Sequence, residues 1–319
     1  MREKKVLITG ATGFIGANLA HRLAKKGKGT VYVTVRKESN LWRINDIKNS
    51  LKFINCDLTD YSETEKIVEE IKPDVVYHCA AYGAVYGEND FLKTIQTNLI
   101  GTINLINSCI GKGISAFVNL SSSSEYGLKD RPMREDDPLN PNTDYGISKA
   151  VTTEYASQIG KLKGMPIITL RLFSPFGYYE SKSRLIPSLL LSIIEGREPQ
   201  LANPGSARDF IFIEDVIDIM IEASLKAGKH AGGVFNVANG RQFTVKEVAE
   251  LAIKISGKNL KPHFNALPER VYDTNCWVAD MKKTFASFNW RPRYSMEKSL
   301  EIMLGWLEKN RGLYIQNGK

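Results

Sequence analysis

Short apolar runs alternate with helix-like patterns over the first 172 residues of the chain. The apolar runs are rich in β-branched residues, which is typical of strands, and the segments between them repeat apolar residues at helical spacing. Strands that alternate with helices of this length predict an α/β fold with a doubly wound parallel sheet. The predicted strands are Lys5–Thr9, Thr30–Val35, Leu51–Asn55, Val75–Cys79, Ala116–Leu120 and Ile167–Leu172, and the predicted helices are Ile15–Lys26, Ser62–Ile71, Leu92–Ile110 and Tyr145–Ile159.

The alternation breaks after Leu172, and a mixed pattern follows. This change predicts a smaller mixed α/β C-terminal domain that binds substrate, with part of the chain returning to the first domain. We expect a dinucleotide-binding domain of residues 1–172 plus 208–240, and a substrate-binding domain of residues 173–207 and 241–319. The predicted elements are helix Leu185–Glu195, strand Phe210–Ile213, a helix from Asp215, strand Val234–Val237, and helices from Val245 and Met296.

The composition is that of an ordinary globular protein and excludes several classes. The 319 residues are 43% hydrophobic with a net charge of +8, and basic residues are interleaved with acidic ones, so a phosphate-bearing small ligand explains part of the excess without nucleic acid. The longest near-apolar stretch, Leu185–Ile194, is too short to span a bilayer, and the charged start lacks the pattern of a secretory signal. We therefore expect a cytoplasmic protein without a membrane span. The four Cys and four His show no metal-binding spacing, so no metal site is predicted.

A glycine-rich loop follows the first predicted strand and opens the first helix. Its sequence runs from Gly10 to Gly16 and contains Thr12, Gly13, Phe14 and Ile15. Glycines at such a turn let the backbone approach a pyrophosphate, which then lies at the helix N-terminus. The loop therefore predicts a Rossmann dinucleotide-binding sheet.

The end of the second predicted strand discriminates between dinucleotides. An acidic residue there binds the adenosine ribose, whereas an Arg accommodates a 2′-phosphate. This chain has Arg36, followed by Lys37, Ser39 and Asn40, so the sequence predicts NADP(H). Two dipeptides that follow later strands are expected to line the adenine and diphosphate, although both also fit simple strand ends. They are Asp57-Leu58 and Ala80-Ala81.

Tyr145 and Lys149 are spaced one helical turn apart on the same face. A nearby ammonium stabilises phenolate and lowers the pKa of a tyrosine, which can then exchange a proton with a substrate hydroxyl or carbonyl. The pairs Tyr178/Lys182 and Tyr294/Lys298 have the same spacing. The Tyr145 pair is favoured because it follows a serine cluster at the carboxyl end of a strand, where such sheets bind ligands.

With these motifs the sequence resembles the extended branch of the short-chain dehydrogenase/reductase superfamily, which contains nucleotide-sugar epimerases, dehydratases and reductases. The resemblance implies a catalytic triad of Ser122, Tyr145 and Lys149, with Asn98 supporting the lysine through water. A serine next to Ser122 remains an alternative partner. The resemblance rests on the glycine loop, Tyr145/Lys149, Thr97-Asn98-Leu99, Ser121–Gly127, Arg208-Asp209-Phe210 and Asp215.

The residues after Ser122 narrow the implied reaction. Dehydratases of this family carry Asp-Glu there, where this chain has Ser123 and Ser124, and reductases that also epimerise use a Cys at the second position. The resemblance therefore implies NADPH-dependent reduction of the 4-keto group of a nucleoside-diphospho-6-deoxy or 3,6-dideoxy hexose, as in O-antigen deoxysugar pathways. The alternatives are an NAD-dependent nucleotide-sugar 4-epimerase, against which Arg36 argues, and a catalytically silent dinucleotide-sensing protein.

The resemblance also implies a substrate site and an assembly. Arg208 and Arg270 match arginines that hold the substrate diphosphate, and bidentate contacts explain why Arg suits such sites. The Asn that the family usually places in its Arg-x-x-Asn motif is Ser174 here. Other candidates for contact with the sugar are Tyr86, Ser123, Ser124 and Arg184. A homodimer is expected through the helices Leu92–Ile110 and Tyr145–Ile159.

Overall fold

The computed structural model describes residues 4–27, 29–83, 88, 90–268 and 273–317. Its largest sheet has seven strands in the order β10-β6-β5-β4-β1-β2-β3, and the neighbouring strands from β6 to β3 pair in parallel. The doubly wound α/β fold is thereby confirmed. The strands are β1 (Lys5–Thr9), β2 (Thr30–Val35), β3 (Lys52–Asn55), β4 (Val75–His78), β5 (Ala116–Ser122), β6 (Ile167–Leu172), β7 (Pro175–Phe176), β8 (Ala207–Arg208), β9 (Ile211–Phe212), β10 (Gly233–Val237) and β11 (Phe243–Thr244).

The helices begin and end with local sequence signals. Thr143 accepts a hydrogen bond from the Gly146 amide (3.0 Å) at the start of one helix, and Thr244 forms a capping box with Glu247 at the start of another. The α-helices are α1 (Phe14–Lys26), α2 (Tyr61–Ile71), α3 (Phe91–Thr94), α4 (Gly101–Cys109), α5 (Asp144–Lys163), α6 (Leu185–Ile194), α7 (Ile213–Lys226), α8 (Val245–Ser256), α9 (Lys282–Ser287) and α10 (Met296–Asn317). Three 3₁₀ segments are Asn45–Ser50, Ser123–Tyr126 and Ala227–His230, and Ile95–Ile100 is π-helical.

Buried apolar residues of the strands and helices form the core under the sheet. Leu7, Val76 and Phe117 from adjacent strands pack with Leu105 and Ile106 of α4, and all five side chains are fully buried. The β-branched and apolar runs of these strands are continuous because a parallel sheet is covered on both faces.

Most predicted elements agree with the structure, but the predicted strand Phe210–Ile213 is shortened to β9, because α7 begins at Ile213 rather than at Asp215. The bounds of β1, β2 and β6 match the prediction. The predicted helix Leu92–Ile110 is instead α3, the π-helical segment and α4 in succession, and β5 extends to Ser122. The π-helical segment is a local insertion in the helical hydrogen-bond ladder, which apolar periodicity does not reveal.

The chain forms two compact units. The first comprises Met1–Glu125, Thr143–Leu172 and Ile217–Phe235, and the second comprises Tyr126–Asn142, Phe173–Val216 and Asn236–Lys319. This division differs from the predicted one, in which 126–142 belongs to the first domain and the returning segment is 208–240.

Asn236 explains the placement of Tyr126–Asn142 in the second unit. Its Oδ1 accepts a hydrogen bond from the Tyr126 hydroxyl (2.6 Å), and its Nδ2 donates to the Met133 carbonyl (2.9 Å). The segment that returns to the first unit is shorter than the predicted 208–240. One reason is that β8 pairs antiparallel with β11 within the second unit. No helix in the described part of the chain is long and apolar enough to cross a membrane.

Candidate active site

The glycine loop has the geometry that a dinucleotide requires. Gly10 has φ +70°, and a Cβ placed on it would lie 2.5 Å from the Ala80 nitrogen, while a Cβ on Gly16 would lie 2.3 Å from the Gly10 oxygen. Only glycine fits these two positions. Gly13 is the N-cap of α1 and makes no side-chain cap, so the amides at this helix start are available to a phosphate. Thr12, Phe14 and Ile15 lie in this turn and the first turn of α1. A dinucleotide therefore fits this loop.

A polar turn follows β2, where the 2′-phosphate was predicted. Arg36, Lys37 and Asn40 are exposed, and the Arg36 amide donates to Ser39 Oγ (2.9 Å). Arg43 was missed by the sequence analysis because its spacing follows no motif. Its guanidinium donates to the Thr12 carbonyl (3.0 Å) of the glycine loop. Arg43 therefore places a cation at the glycine loop, whereas Arg36 lies in the turn after β2.

The two dipeptides predicted to line the dinucleotide differ in their surroundings. Asp57 is exposed and accepts hydrogen bonds from the amide and hydroxyl of Thr59 (2.9 Å each). Leu58 is buried, and its carbonyl accepts from the Asn104 amide (2.9 Å). Ala80 touches the glycine loop, as described above, and Ala81 is exposed. The structure brings Ala80 to the loop, and the dinucleotide contacts of all four residues remain predictions.

The serine cluster begins at the carboxyl end of β5. Ser122 is its last strand residue, and its Oγ accepts from the Ser124 amide and donates to Ser124 Oγ (3.1 Å each). Ser123 is buried. Ser124 therefore orients the Ser122 hydroxyl through these two hydrogen bonds.

Tyr145 and Lys149 lie on α5, which begins directly after its N-cap Thr143. Tyr145 is half-buried, whereas the Lys149 side chain is buried, with the residue 2% exposed. Burial lowers the pKa of Lys149 to about 8, and the negative charge of Glu125 opposes this shift. The lysine is therefore poised to gain or lose its charge near neutral pH.

Asn98 lies in the π-helical segment and is fully buried. Its Nδ2 donates to Ser148 Oγ (2.9 Å) and to the Tyr82 carbonyl (2.8 Å), and its Oδ1 accepts from the Tyr82 amide (2.8 Å). The side chain thus holds α5 at the residue before Lys149. Its predicted support of the lysine through water remains a prediction.

Glu125 forms a buried network that the sequence analysis missed. Its Oε2 accepts from Arg171 Nε (2.7 Å), and its Oε1 accepts from Thr153 Oγ1 (2.7 Å) and from the Ser121 hydroxyl. Both charged side chains are at most 5% exposed. The network joins β5, β6 and α5 directly below the serine cluster and places a negative charge where it acts on Lys149. The sequence signal for this network is that the acidic Glu125 directly follows four serines.

Three of the predicted substrate residues line one cavity of about 160 Å³ in the second unit. They are Ser174, Arg184 and Arg208. The Arg208 guanidinium pairs with Asp273 (3.4 Å) and lies over the Trp277 ring. Ser174 has φ +25°, a conformation that non-glycine residues rarely adopt.

The predicted residues Tyr86 and Arg270 lie outside the described residues. The cavity also contains Glu180, which the sequence analysis missed. The described residues include no group of three or more His, Cys, Asp or Glu side chains that could hold a metal.

The glycine loop on a parallel sheet and the Tyr145/Lys149 pair define a dinucleotide-binding protein of the short-chain dehydrogenase/reductase type. More narrowly, the chain belongs to the NAD dependent epimerase/dehydratase family, whose model matches residues 6–238. The family implied by the motifs is thereby confirmed, whereas the 4-ketoreductase branch is not specifically shown. The family match supports a nicotinamide dinucleotide as the cofactor.

Similar proteins include nucleotide-sugar 4-epimerases. A UDP-glucose 4-epimerase of Cyamopsis tetragonoloba is 30% identical over 97% of this chain and 97% of its own. A UDP-N-acetylglucosamine 4-epimerase of Methanobrevibacter ruminantium, solved with UDP-N-acetylmuramic acid, has a TM-score of 0.87 at 25% identity and covers 97% of this chain and 100% of its own. A UDP-glucuronic acid 4-epimerase of Bacillus cereus, solved with UDP-glucuronic acid and NAD, has a TM-score of 0.85 at 25% identity, covering 96% and 99%.

Proposed function

We propose that this protein is a nucleotide-sugar 4-epimerase that uses a nicotinamide dinucleotide. The observation that carries the proposal is the Tyr145/Lys149 pair on α5, with Ser122 at the end of β5 in the same unit. The similar 4-epimerases support this reading over the ketoreduction expected from the sequence. A complete set of proton-transferring groups also disfavours a catalytically silent sensor.

The residues of this chain would move a proton at the oxygen on carbon 4. When bound, a nicotinamide dinucleotide supplies the hydride acceptor and donor for that carbon. Tyr145 accepts the hydroxyl proton as the 4-keto group forms, and it returns a proton when the hydroxyl is restored on the other face. Ser122 donates a hydrogen bond to the oxygen, and the Lys149 ammonium stabilises the phenolate. The glycine loop of Gly10, Gly13 and Gly16 would hold the pyrophosphate.

NADPH-dependent 4-ketoreduction is the second candidate, and the polar turn after β2 favours it. Arg36 and Lys37 stand where NAD enzymes carry an acid, and Arg43 adds a cation at the glycine loop. These three side chains would suit a 2′-phosphate.

The test combines cofactor identity with turnover. The dinucleotide released from denatured protein is identified by mass spectrometry, and the protein is then assayed with UDP-sugars for product of inverted configuration at carbon 4. Retained NAD and an inverted product without net NADH formation support the epimerase. Net consumption of NADPH with a 4-keto sugar nucleotide would instead support the reductase.

The matched variant for this assay is Tyr145→Phe. Because the ring remains and only the proton-transferring hydroxyl is removed, we expect turnover to fall by about 10²-fold to 10⁴-fold. Dinucleotide binding should be retained. Wild-type turnover by Tyr145→Phe would overturn the assignment of Tyr145.

The second unit is proposed to hold the nucleoside diphosphate of the substrate. Arg184 and Arg208 supply cations in the cavity, and Ser174 replaces the usual family Asn beside them. Arg270 belongs to the same proposal from the sequence alone.

A homodimer is also proposed, through the helices around Asn98 and Lys149. Of the ten exposed large apolar side chains among the described residues, six lie on these helices. Such a concentration marks an interaction surface. We expect a dimer by sedimentation velocity and a monomer for Leu92→Glu/Val151→Glu, and a monomeric wild type would refute the proposal. The six residues are Phe91, Leu92, Ile100, Ile147, Val151 and Leu162.

A further inference from the structure

A chain of buried hydrogen bonds crosses the first unit from the strand before the glycine loop to the helix of Tyr145. It begins at Thr9, the last residue of β1, whose Oγ1 lies 2.6 Å from Nδ1 of His78. The other ring nitrogen of His78, Nε2, lies 2.8 Å from Thr102 Oγ1. The Thr102 hydroxyl donates to the Asn98 carbonyl. These four residues are at most 1% exposed, so water does not compete for their hydrogen bonds.

The second half of the chain runs from Asn98 to Tyr145. Asn98 Nδ2 donates to Ser148 Oγ (2.9 Å), and the Ser148 hydroxyl donates to the Tyr145 carbonyl (2.8 Å). Asn98 lies in the π-helical segment, and such insertions in helices are rare and frequently occur at functional sites. The hydrogen bonds therefore link the residue before Gly10 of the glycine loop to the backbone of Tyr145.

The positions of the hydrogens in this chain follow from its donors. Thr102 gives its one hydroxyl hydrogen to the Asn98 carbonyl, so its oxygen accepts from His78, and Nε2 carries the ring hydrogen. Burial lowers the pKa of His78 to about 3, and the positive charge of Lys149 adds to this shift. The ring is therefore neutral, and its Nδ1 accepts from the Thr9 hydroxyl. Every bond from Thr9 to the Asn98 carbonyl thus points in the same direction.

A neighbouring pair of polar residues lies in the same row of the sheet but outside this chain. Asn119 on β5 and Thr169 on β6 are in register with each other, beside His78 on β4. Asn119 Nδ2 donates to Thr169 Oγ1 (3.2 Å). Thr169 is 1% exposed, as is Thr102. The two threonines therefore differ in their hydrogen-bond partners and not in their burial.

We propose that His78 is a positioning residue that, through this hydrogen-bond chain, fixes Tyr145 relative to the glycine loop. Hydride transfer and proton transfer occur at the two ends of one carbon–oxygen bond of the sugar, so the dinucleotide and the phenol must be aligned with each other. Hydrogen bonds in a buried chain also strengthen one another. This inference rests on the proposed function, which assigns the proton transfer to Tyr145.

The first test cuts the chain at one hydroxyl. Thr102→Val keeps the branched shape of the side chain and removes the group that joins His78 to Asn98, so we expect kcat to fall by about 10-fold to 100-fold. The KM for the nucleotide sugar and the affinity for the dinucleotide should stay within about threefold of the wild type, since no contact with either ligand is removed. Thr169→Val is the matched control, because it removes an equally buried hydroxyl, and its kcat should stay within about threefold.

Two substitutions of His78 test the ring nitrogens. His78→Leu removes both of them, so its kcat should fall as far as that of Thr102→Val. His78→Gln keeps one donor and one acceptor side by side, and its kcat should stay within about threefold of the wild type. An equal loss of kcat in His78→Gln and His78→Leu would show that the hydrogen bonds of the ring are not what matters and would overturn the inference.

Hydrogen exchange tests the chain without the reaction. The Tyr82 amide donates to Asn98 Oδ1 (2.8 Å), so its exchange rate reports how firmly Asn98 is held. We expect exchange at Tyr82 to be faster in Thr102→Val by about 10-fold, and unchanged in Thr169→Val. Mass spectrometry of peptic fragments measures both rates, and circular dichroism spectra establish that each variant is folded.

The outcomes separate this inference from the proposed function. An unchanged kcat in Thr102→Val would overturn the inference and leave the proposed function intact, and faster exchange at Tyr82 would then mean that the chain is structural only. An equal loss of kcat in Thr169→Val would also overturn it, because any buried hydroxyl of this row would then have the same effect. A wild type that converts neither UDP-sugars nor 4-keto sugar nucleotides would refute the proposed function. Unchanged exchange at Tyr82 would in that case overturn the inference as well.

Discussion

Glu125 and Glu180 are both buried glutamates beside an arginine, but their hydrogen bonding differs. Glu125 in the first unit accepts hydrogen bonds on both oxygens from Ser121, Thr153 and Arg171. Glu180 in the second unit leaves Oε2 without a partner within the described residues. A completed network stabilises the fold around a site, whereas an incomplete one leaves binding capacity for a ligand. Glu125 thus supports the structure around its site, whereas Glu180 keeps an atom with which it can recognise a ligand.

The largest expected effect is on stability at Glu125. Glu125→Ala would leave the Arg171 charge buried without its partner, so we expect the free energy of unfolding to fall by about 3–5 kcal/mol. Urea denaturation followed by circular dichroism measures the change. The exposed Glu154→Ala on α5 should stay within about 0.5 kcal/mol. Equal effects of Glu125→Ala and Glu154→Ala would break the comparison.

The opposite sign is expected at Glu180. Glu180→Leu removes an unsatisfied buried group, and its partner Arg184 is 41% exposed and can be hydrated. We expect the free energy of unfolding to rise by about 1–3 kcal/mol in the absence of ligand. Urea denaturation of the ligand-free protein tests this sign. A clear loss of stability would mean that Glu180 is a structural residue like Glu125.

The pH dependence of stability should reveal the same carboxyl. The pKa of Glu180 is raised from 4.5 to about 8, so the folded chain keeps a proton that the unfolded chain releases between these values. Stability therefore falls as pH rises across this window, by up to about 1.4 kcal/mol for each pH unit.

Glu180→Gln lacks this ionisation and isolates the effect. Its stability relative to the wild type should increase steadily from pH 5 to pH 8, measured by urea denaturation at each pH. Asp209, whose pKa burial raises to about 7, contributes with the same sign in both proteins and cancels in the difference. A difference that does not change with pH would show that Glu180 is ionised throughout.

The smallest expected effect concerns Lys149. Because burial lowers its pKa to about 8, activity should fall as pH rises past that value and the ammonium is lost. Glu125 opposes this shift, so Glu125→Gln should move the alkaline limb of the kcat profile to lower pH by about one unit or less. The epimerase assay measures both limbs. An unmoved limb would confine Glu125 to structural support.

Periodicity predicted the fold because it depends on which residues are buried. Strands β1, β2 and β6 have the predicted bounds, and the apolar runs of β1 and β2 end at Gly10 and Arg36. The placement of Tyr126–Asn142 could not be predicted, because it depends on hydrogen bonds to Asn236, about a hundred residues later.

Residues of the candidate site could be predicted only where their chemistry requires a fixed spacing along the chain. The glycine loop and the pair Tyr145/Lys149 have fixed spacings, and the structure places both as expected. Glu125 and Arg171 lie on neighbouring parts of the sheet, so their pairing depends on strand order. The position of Glu180 depends on positive φ values at Ser174 and Tyr179, which those residue types do not suggest.

The discontinuity of the first unit has a consequence for synthesis on the ribosome. Strand β6 ends at Leu172, but its sheet neighbour β10 begins only at Gly233. At elongation rates of about 5–20 residues per second, β6 is an open sheet edge for several seconds. An uncovered apolar edge strand invites pairing with another chain. A nascent chain stalled in this interval therefore carries an aggregation hazard at Ile167–Leu172.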